Sequence, residues 1–306
     1  MTVSISGSLG VTFPDGSLQT GAASPYVNKN RLVNGSFAID QRNAGASQTF
    51  TAAAAVAYTV DRWYGSCTGA NITGQRVTGT SPNQYAYRFT GAASNTGTLF
   101  GQRIESFNTY DLISTTVTGS VTLKSSSITS VTWTAYYANS SDTFSSKTSI
   151  ATGTLTINST ATRYSFSFDA GANAGNGIAI EFTTGALTAT NTIHYENAQL
   201  EIGTSATPFE RRMYGQELAL CQRYFQYSVG GVLTNSTNLG FYGAMVTFPV
   251  QMRASPTTSR VSDYQISGFN TPFTENNNVY GFTAVAQANL TGNPTFRTLY
   301  KAEIEL

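Results

Sequence analysis

Charge is what this chain has least of. Lysine, arginine, aspartate and glutamate make up 11% of its 306 residues, against about 25% in an average soluble protein. The 17 basic and 16 acidic side chains leave a net charge of +1. The basic residues are scattered and form no stripe that could follow phosphates, so no nucleic-acid partner is expected. Histidine is reduced to His194, and a Ser-His-Asp or Cys-His centre would have to be built on it. It lies between Ile193 and Tyr195 in an alternating stretch, with no nucleophile elbow in the chain, and reads as a strand histidine bonded to a neighbour. One histidine and two distant cysteines, Cys67 and Cys221, cannot supply a zinc cluster. The cysteines read as free, buried thiols acting as small apolar residues. No run of about 18 apolar residues occurs, so no helix that crosses a membrane and no membrane insertion are expected. The start MTVSISGSLG has neither the charged head nor the apolar core of a signal peptide. Synthesis and folding in a cytoplasm are therefore expected.

Apolar and aromatic material is plentiful. Hydrophobic residues reach 40%, with 17 tyrosines and 18 phenylalanines, enough to build cores and to argue against disorder. At this length each of two domains has an ordinary core to bury. Residues 1–26 are small, polar and turn-rich, with two short alternating stretches followed by the turn Pro14-Asp15-Gly16. They are too few to bury a core alone, so they pair with something else or form a leader or an edge hairpin. From residue 28 to about 212, alternating segments at 117–123, 131–137, 152–157, 164–168, 178–182 and 193–200 are separated by Gly, Asn and Ser turns. With no helix between them, they predict an antiparallel sandwich. Residues 216–226 put Leu218, Cys221 and Phe225 at i, i+3 and i+7, predicting an amphipathic helix of about three turns. Glu217 would sit near its positive end and Arg223 toward its negative end. Strands return at 241–250, 279–288 and 299–306. No repeat of fixed period is present, which argues against a β-helix or propeller.

Several phrases resemble bacteriophage tail-fibre and receptor-binding proteins. Residues 199–226 read QLEIGTSATPFERRMYGQELALCQRYFQ. Leu200, Glu201, Gly203, Ala206, Thr207, Pro208, Phe209, Glu210, Arg211 and Arg212, then Glu217, Leu218, Cys221, Arg223 and Tyr224, match a junction in those proteins. There a jelly-roll module ends and a short helix leads into a distal domain. The phrase VTFPDGS at 11–17 resembles one near the start of many phage fibre proteins, and 248–257 resembles their distal domain. The landmarks at 30–37, 61–64, 121–124, 163–168 and 195–201 follow the order of the jelly roll of carbohydrate-binding modules, over more than half of the chain. The resemblance implies an all-β fold class, an antiparallel jelly-roll sandwich followed by a short helix and a smaller distal β domain. It divides the chain into an oligomerisation or virion-attachment segment (1–26), a jelly-roll carbohydrate-binding-like domain (27–212), and a linking helix plus distal β-sandwich domain (213–306). It further implies a homotrimer in the virion tail fibre, holding other tail or baseplate proteins through residues 1–26. Its target would be host surface polysaccharide or lipopolysaccharide. Two other roles stay open: a structural virion part such as a head fibre, collar or baseplate protein without receptor contact, and a polysaccharide depolymerase.

Glycoside hydrolysis needs a pair of carboxylates. Asp61, Glu105, Asp111, Glu181, Glu196, Glu201 and Glu210 are the candidates in the sandwich region, and none forms a local signature. Glu201, Glu210 and Arg211 read as structural groups at the junction. No catalytic residue and no cofactor are assigned, and the chain is expected not to be an enzyme. Jelly-roll carbohydrate modules often hold a structural calcium, which takes about six to eight oxygens. Where those modules place acids, this chain has Ala38 after Phe37 and Asn197 after Glu196, so no metal is expected. A sugar site would stack aromatic rings on pyranose faces and bond the hydroxyls with amides and charges. Trp63 reads as core. Trp133 and Tyr137 share one strand face by alternation, with Tyr136 on the other. Tyr264, Phe269, Phe273 and Tyr280 fall in or beside the Asn- and Gly-rich stretch 262–278, a loop-rich setting of the kind that carries recognition. These six, Trp133 and Tyr137 with the distal four, are the expected ligand-binding residues. A plain trimer interface is the alternative for the distal four.

Overall fold

The computed structural model describes residues 28–234, 239–289 and 292–306 in full. Before them it describes the backbone of three short strands, β1 (Ser4–Ser6), β2 (Gly10–Thr12) and β3 (Leu18–Gln19), paired antiparallel in that order. The rest of residues 1–26, on which the expected virion contact falls, lies outside the described residues.

Twelve strands follow. They are β4 (Gln48–Phe50), β5 (Ala57–Tyr58), β6 (Trp63–Thr68), β7 (Ile72–Thr78), β8 (Tyr85–Thr90) and β9 (Gly97–Ile104). After them come β10 (Thr116–Ser125), β11 (Ser130–Ser140), β12 (Thr143–Thr156), β13 (Thr162–Asp169), β14 (Ile178–Thr184) and β15 (Thr192–Ile202). They form two six-stranded antiparallel sheets, β13-β10-β15-β8-β7-β4 and β12-β11-β14-β9-β6-β5, which enclose one core as a jelly-roll sandwich. Period-two alternation explains which side chains meet there. On β14, Ile178, Ile180 and Phe182 belong to that core, which turns Ala179 and Glu181 to the other face. Aromatic rings dominate the interior: Phe100 stacks on Trp63 at 4.9 Å and on Tyr87 at 4.8 Å. Full burial of each such ring stabilises by about 1.5–3 kcal/mol. Gly119 lies against the Phe166 ring so closely that a Cβ would collide with it.

The stretch from Asn30 to Phe37 ties the sandwich together. Asn30 Oδ1 accepts from the backbone of Leu32 (3.0 Å) and Leu200 (3.1 Å). Asn34, buried with a left-handed φ of 57°, donates to the carbonyls of Ile39 and Asp61 and accepts from Ile39 N. Its own carbonyl accepts from the indole of Trp63 at 3.1 Å. Gly35 abuts the carbonyl of Ala198, where any Cβ would clash.

Beyond the sandwich come the helix α1 (Tyr214–Gln222) and six strands. Strands β16 (Phe225–Leu233), β18 (Thr257–Ser267) and β21 (Thr295–Glu303) form one sheet in the order β16-β21-β18. Strands β17 (Phe241–Thr247), β19 (Phe273–Asn278) and β20 (Gly281–Gln287) form the other, ordered β17-β20-β19. Their shared core includes Val246, Phe248, Met252, Phe269, Phe282, Phe296 and Tyr300. The helix departs from the expected 216–226: it starts at Tyr214, and Phe225 opens β16. Tertiary backbone bonds end it, from Arg253 N to the Arg223 carbonyl and from Ile304 N to the Tyr224 carbonyl, both at 2.9 Å. Pairing across the sheet outweighs the helical periodicity there. Glu217 is buried and does more than face a dipole. It accepts from Asn34 N at 2.5 Å and pairs with Arg212 at 3.2 Å.

After β21 the chain lies back across the sandwich. Arg42 pairs with Glu303 at 2.6 Å and Glu305 at 2.9 Å, and Arg62 pairs with Glu305. Tyr58 donates to the Leu306 carbonyl at 2.9 Å, and Leu306 packs with Ala138, Phe144 and Ala179 on the outer face of the sheet.

Candidate functional site

The six residues expected to bind ligand are dispersed. Trp133 is a core residue, 7% exposed, with its ring stacked on Phe166 at 4.2 Å and beside Phe168. Phe269 is likewise interior, edge-on to Phe296 at 5.2 Å, drawn in by a bridge between its backbone and Ala288. Both correct the expectation, because their ring faces are already occupied by protein. Tyr137 is half-buried, opposite Ile178. Tyr264 is exposed, with the Arg297 guanidinium 5.3 Å from its ring centre. Phe273, at the start of β19, sits beside Phe241. Tyr280, in the turn at the other end of that strand, lines a pocket of about 320 Å³ with Met245, Asn276, Asn278 and Thr283. The fold does not gather these residues into one site.

It does build a larger groove that the sequence reading missed. Two 3-10 turns, Ser106–Asn108 and Tyr110–Leu112, follow β9, and a third, Ala174–Asn176, precedes β14. Leu112 and Ala174 anchor them in the core, and Thr109 Oγ1 donates to the Ala174 carbonyl at 2.7 Å. Asp142 accepts from Ser106 N at 2.6 Å. With those contacts made, Phe107 and Tyr110 are turned outward, 86% and 73% exposed. A ring left in water forgoes about 1.5–3 kcal/mol of burial, and clustered exposed rings mark interaction surfaces. The two rings line a groove of about 610 Å³ with Arg31, Ser106, Asn108, Asp111 and Gly175. Arg31 Nη2 meets Asp111 Oδ2 at 2.5 Å. Arg31 and Asn108 also line a neighbouring cavity of about 300 Å³ whose far wall holds Asn28, Arg212, Gln216 and Leu220. In sequence, Phe107 and Tyr110 precede the inward Leu112 and carry no signal that sets them apart from core aromatics. Their exposure follows from contacts with residues far along the chain.

The other carboxylates considered for hydrolysis are committed to protein partners. Glu181 accepts from Tyr64 at 2.8 Å and from Lys147. Glu196 holds Thr80 and Asn83, and Glu201 holds Thr207 and Gln199. Glu210 accepts from Asn30 N at 2.8 Å, and Glu105 pairs with Arg223 at 2.8 Å. Burial pushes Asp61 up to about 6, against two 2.6 Å hydrogen bonds from Gln41 that hold it down. Only Asp111 stands in the groove. His194 is not bonded at Nδ1 to any described residue, which corrects its expected hydrogen bond. Desolvation first, then Lys124 and Arg88, lowers it to about 4. Both cysteines are free and buried, and burial raises their thiols above the usual range. Among the described residues, no group of three or more His, Cys, Asp and Glu could hold a metal ion, and no helix is long and apolar enough to cross a membrane.

No protein-family model matches the chain. No curated protein matches it either. Solved structures resemble it at the level of the sandwich. A candidate sugar-binding protein from Bacteroides thetaiotaomicron is 13% identical, covering 57% of this chain and 100% of its own, with a TM-score of 0.41. The enzymatically active domain of tailspike protein 4 from bacteriophage CBA120 is 13% identical, covering 57% of this chain and 22% of its own, with a TM-score of 0.37. A family 11 carbohydrate-binding module from Clostridium thermocellum, solved with a β-1,3-1,4-mixed-linked tetrasaccharide, is 14% identical over 54% of this chain and 100% of its own, with a TM-score of 0.34. No residue, ligand or role is carried over to this chain from these proteins.

Proposed function

We propose that this chain is a subunit of a phage tail fibre that attaches the virion to the host cell envelope through surface glycans, without cleaving them. The observation that carries the glycan reading is the outward pair Phe107 and Tyr110 beside the Arg31–Asp111 ion pair. Rings stack on sugar faces while the charged pair and the amides meet hydroxyls. The tail-fibre phrases at 11–17, 199–226 and 248–257 support the virion reading. The non-catalytic reading is supported by the commitments of Glu105, Glu181, Glu196, Glu201 and Glu210, which leave Asp111 without a carboxylate partner among the groove-lining residues. One shallow site of this kind binds weakly, and a homotrimer would multiply it. Residues 1–26 would join the subunit to other tail or baseplate proteins.

The test is adsorption. Purified protein should bind host cells and block phage adsorption, and Tyr110→Ala should lower that binding at least about tenfold, the scale of a stacked ring. A second reading, a virion part with structural duties only, is favoured by one observation. Phe241 and Met245 on β17, with Phe273 on β19, are exposed, an apolar face suited to subunit contact. Folded protein that ignores every host strain the phage infects would establish that second role in place of the first.

A further inference from the structure

The distal sandwich exposes apolar side chains on both of its outer faces. On the sheet β17-β20-β19, Phe241, Met245 and Phe273 are exposed, and Glu275 is the one charged residue in the three strands. On the sheet β16-β21-β18, Val229 and Leu233 are exposed, and with Gly231 and Arg297 they line a hollow of about 280 Å³. Gly231 has no room for a Cβ, which would collide with the Phe296 carbonyl. Apolar groups clustered in water mark contact surfaces.

The two faces flank a common edge. Gly230 on β16 lies against Val246 of β17 and Ala284 of β20, and Thr258 on β18 meets Thr274 on β19 at 2.6 Å. Strand β16 therefore lies over β17, and β18 over β19. The unpaired charges on the two faces are opposite. Glu275 has no cationic partner among the described residues, only the Asn276 amide at 3.4 Å. Arg297 has no carboxylate partner among them, and its guanidinium lies 5.3 Å from the centre of the Tyr264 ring on β18. Lys301 and Glu303, on the same face as Arg297, pair with each other at 3.6 Å.

The registers of the two faces match. Met245, Thr283 and Glu275 stand side by side across one sheet, and Gly231, Arg297 and Gln265 across the other. Each row spans two strand spacings, about 9.6 Å. With Met245 of one copy over Gly231 of another and the strand order kept, Glu275 falls above β18, where the Arg297 guanidinium lies. A contact of like face on like would instead bring Glu275 to Glu275 or Arg297 to Arg297, and like charges brought together are costly.

We propose that these two outer faces are the two halves of one contact between copies of this chain. Met245 enters the hollow at Gly231 of the next copy, and Glu275 pairs with that copy's Arg297. Such a contact uses a different patch on each copy and closes only as a ring. It rests on the homotrimer proposed above and adds the surfaces that hold it.

The mass of the full chain is followed by light scattering over a dilution series, with urea below the unfolding range wherever wild type does not dissociate. Glu275→Lys and Arg297→Glu change exposed side chains and should fold, with unchanged far-UV spectra. Each should weaken association at least about fivefold, because it sets like charges together. The double variant should recover most of the loss, since the pair is then re-formed with its signs exchanged. A wild-type chain that stays monomeric overturns both this contact and the homotrimer. A trimer indifferent to either reversal, or one that the second reversal does not repair, overturns this contact and keeps the homotrimer.

Discussion

His194 and Asp61 are ionisable residues pushed across the mildly acidic range in opposite senses. The folded chain keeps His194 neutral down to about 4, below its ordinary 6.5, through desolvation and the neighbouring Lys124 and Arg88. Between those values the unfolded chain binds more protons at this residue, so its contribution to stability falls as pH falls. Asp61 is raised from 3.8 to about 6. There the folded chain binds the proton more readily, so its contribution rises as pH falls through the same window. The two slopes oppose each other between pH 6 and pH 4. His194→Gln removes one of them, and urea midpoints of that variant should climb as the buffer is taken from pH 6 to pH 4 relative to wild type. Direct titration of the His194 ring by NMR, with a midpoint near 6.5, would refute the account. Little of this was legible in the sequence. A histidine between Ile193 and Tyr195 announces a strand, but not its burial or the like charges of Lys124 and Arg88 that arrive beside it from paired strands. Phe269 departs from its loop setting through its backbone bridge to Ala288, and Trp133 departs for another reason. Alternation names the two faces of a strand without saying which one the second sheet covers.

At the scale of elements the legible part was larger. The alternating segments at 117–123, 131–137, 164–168, 178–182 and 193–200 all lie within observed strands, because a half-buried sheet imposes a period of two on the sequence. The helix was found and its end was not, since that end is set by bonds from Arg253 and Ile304. The alternation expected a strand as far as residue 306, but β21 ends at Glu303 and residues 304–306 lie across the sandwich instead. The importance of that segment comes from Arg62, 1% exposed, which sits 3.4 Å over the Tyr224 ring and pairs with Glu305. Stripping one partner from a buried ion pair costs about 3–5 kcal/mol, because the remaining charge is left unsatisfied. A sandwich cut after Arg212 loses both Glu305 and Glu217. It should unfold at clearly lower urea than the full chain, and Arg62→Met in that shortened sandwich should recover part of the loss. Equal midpoints for the cut and full chains would show that the pairing contributes nothing.

For the whole molecule, the distal sheets leave an apolar face in water. Met245 is 81% exposed and Phe241 65%, and the sheet that carries them has Glu275 as its one acidic strand residue and no basic one. If three copies assemble as proposed, Met245→Asp should shift the mass measured by light scattering from trimer toward monomer while the far-UV spectrum stays unchanged. A variant that remains trimeric would move the subunit contact elsewhere. Composition foretold cores and a weakly charged surface, while alternation foretold the sandwich. Neither could foretell the groove, whose walls come from Arg31, the turns after β9 and helix α1, brought together only by folding. The chain's return from β21 across the sandwich has a mechanical side. A pull on the distal sheets does not load the peptide between Arg212 and Tyr214 alone. Glu303 and Glu305, gripped by Arg42 and Arg62, form a second tether in parallel with the first. Tension between a moving particle and an anchored surface would thus be divided between two load paths, and the joint would resist bending as a brace does rather than swing as a hinge.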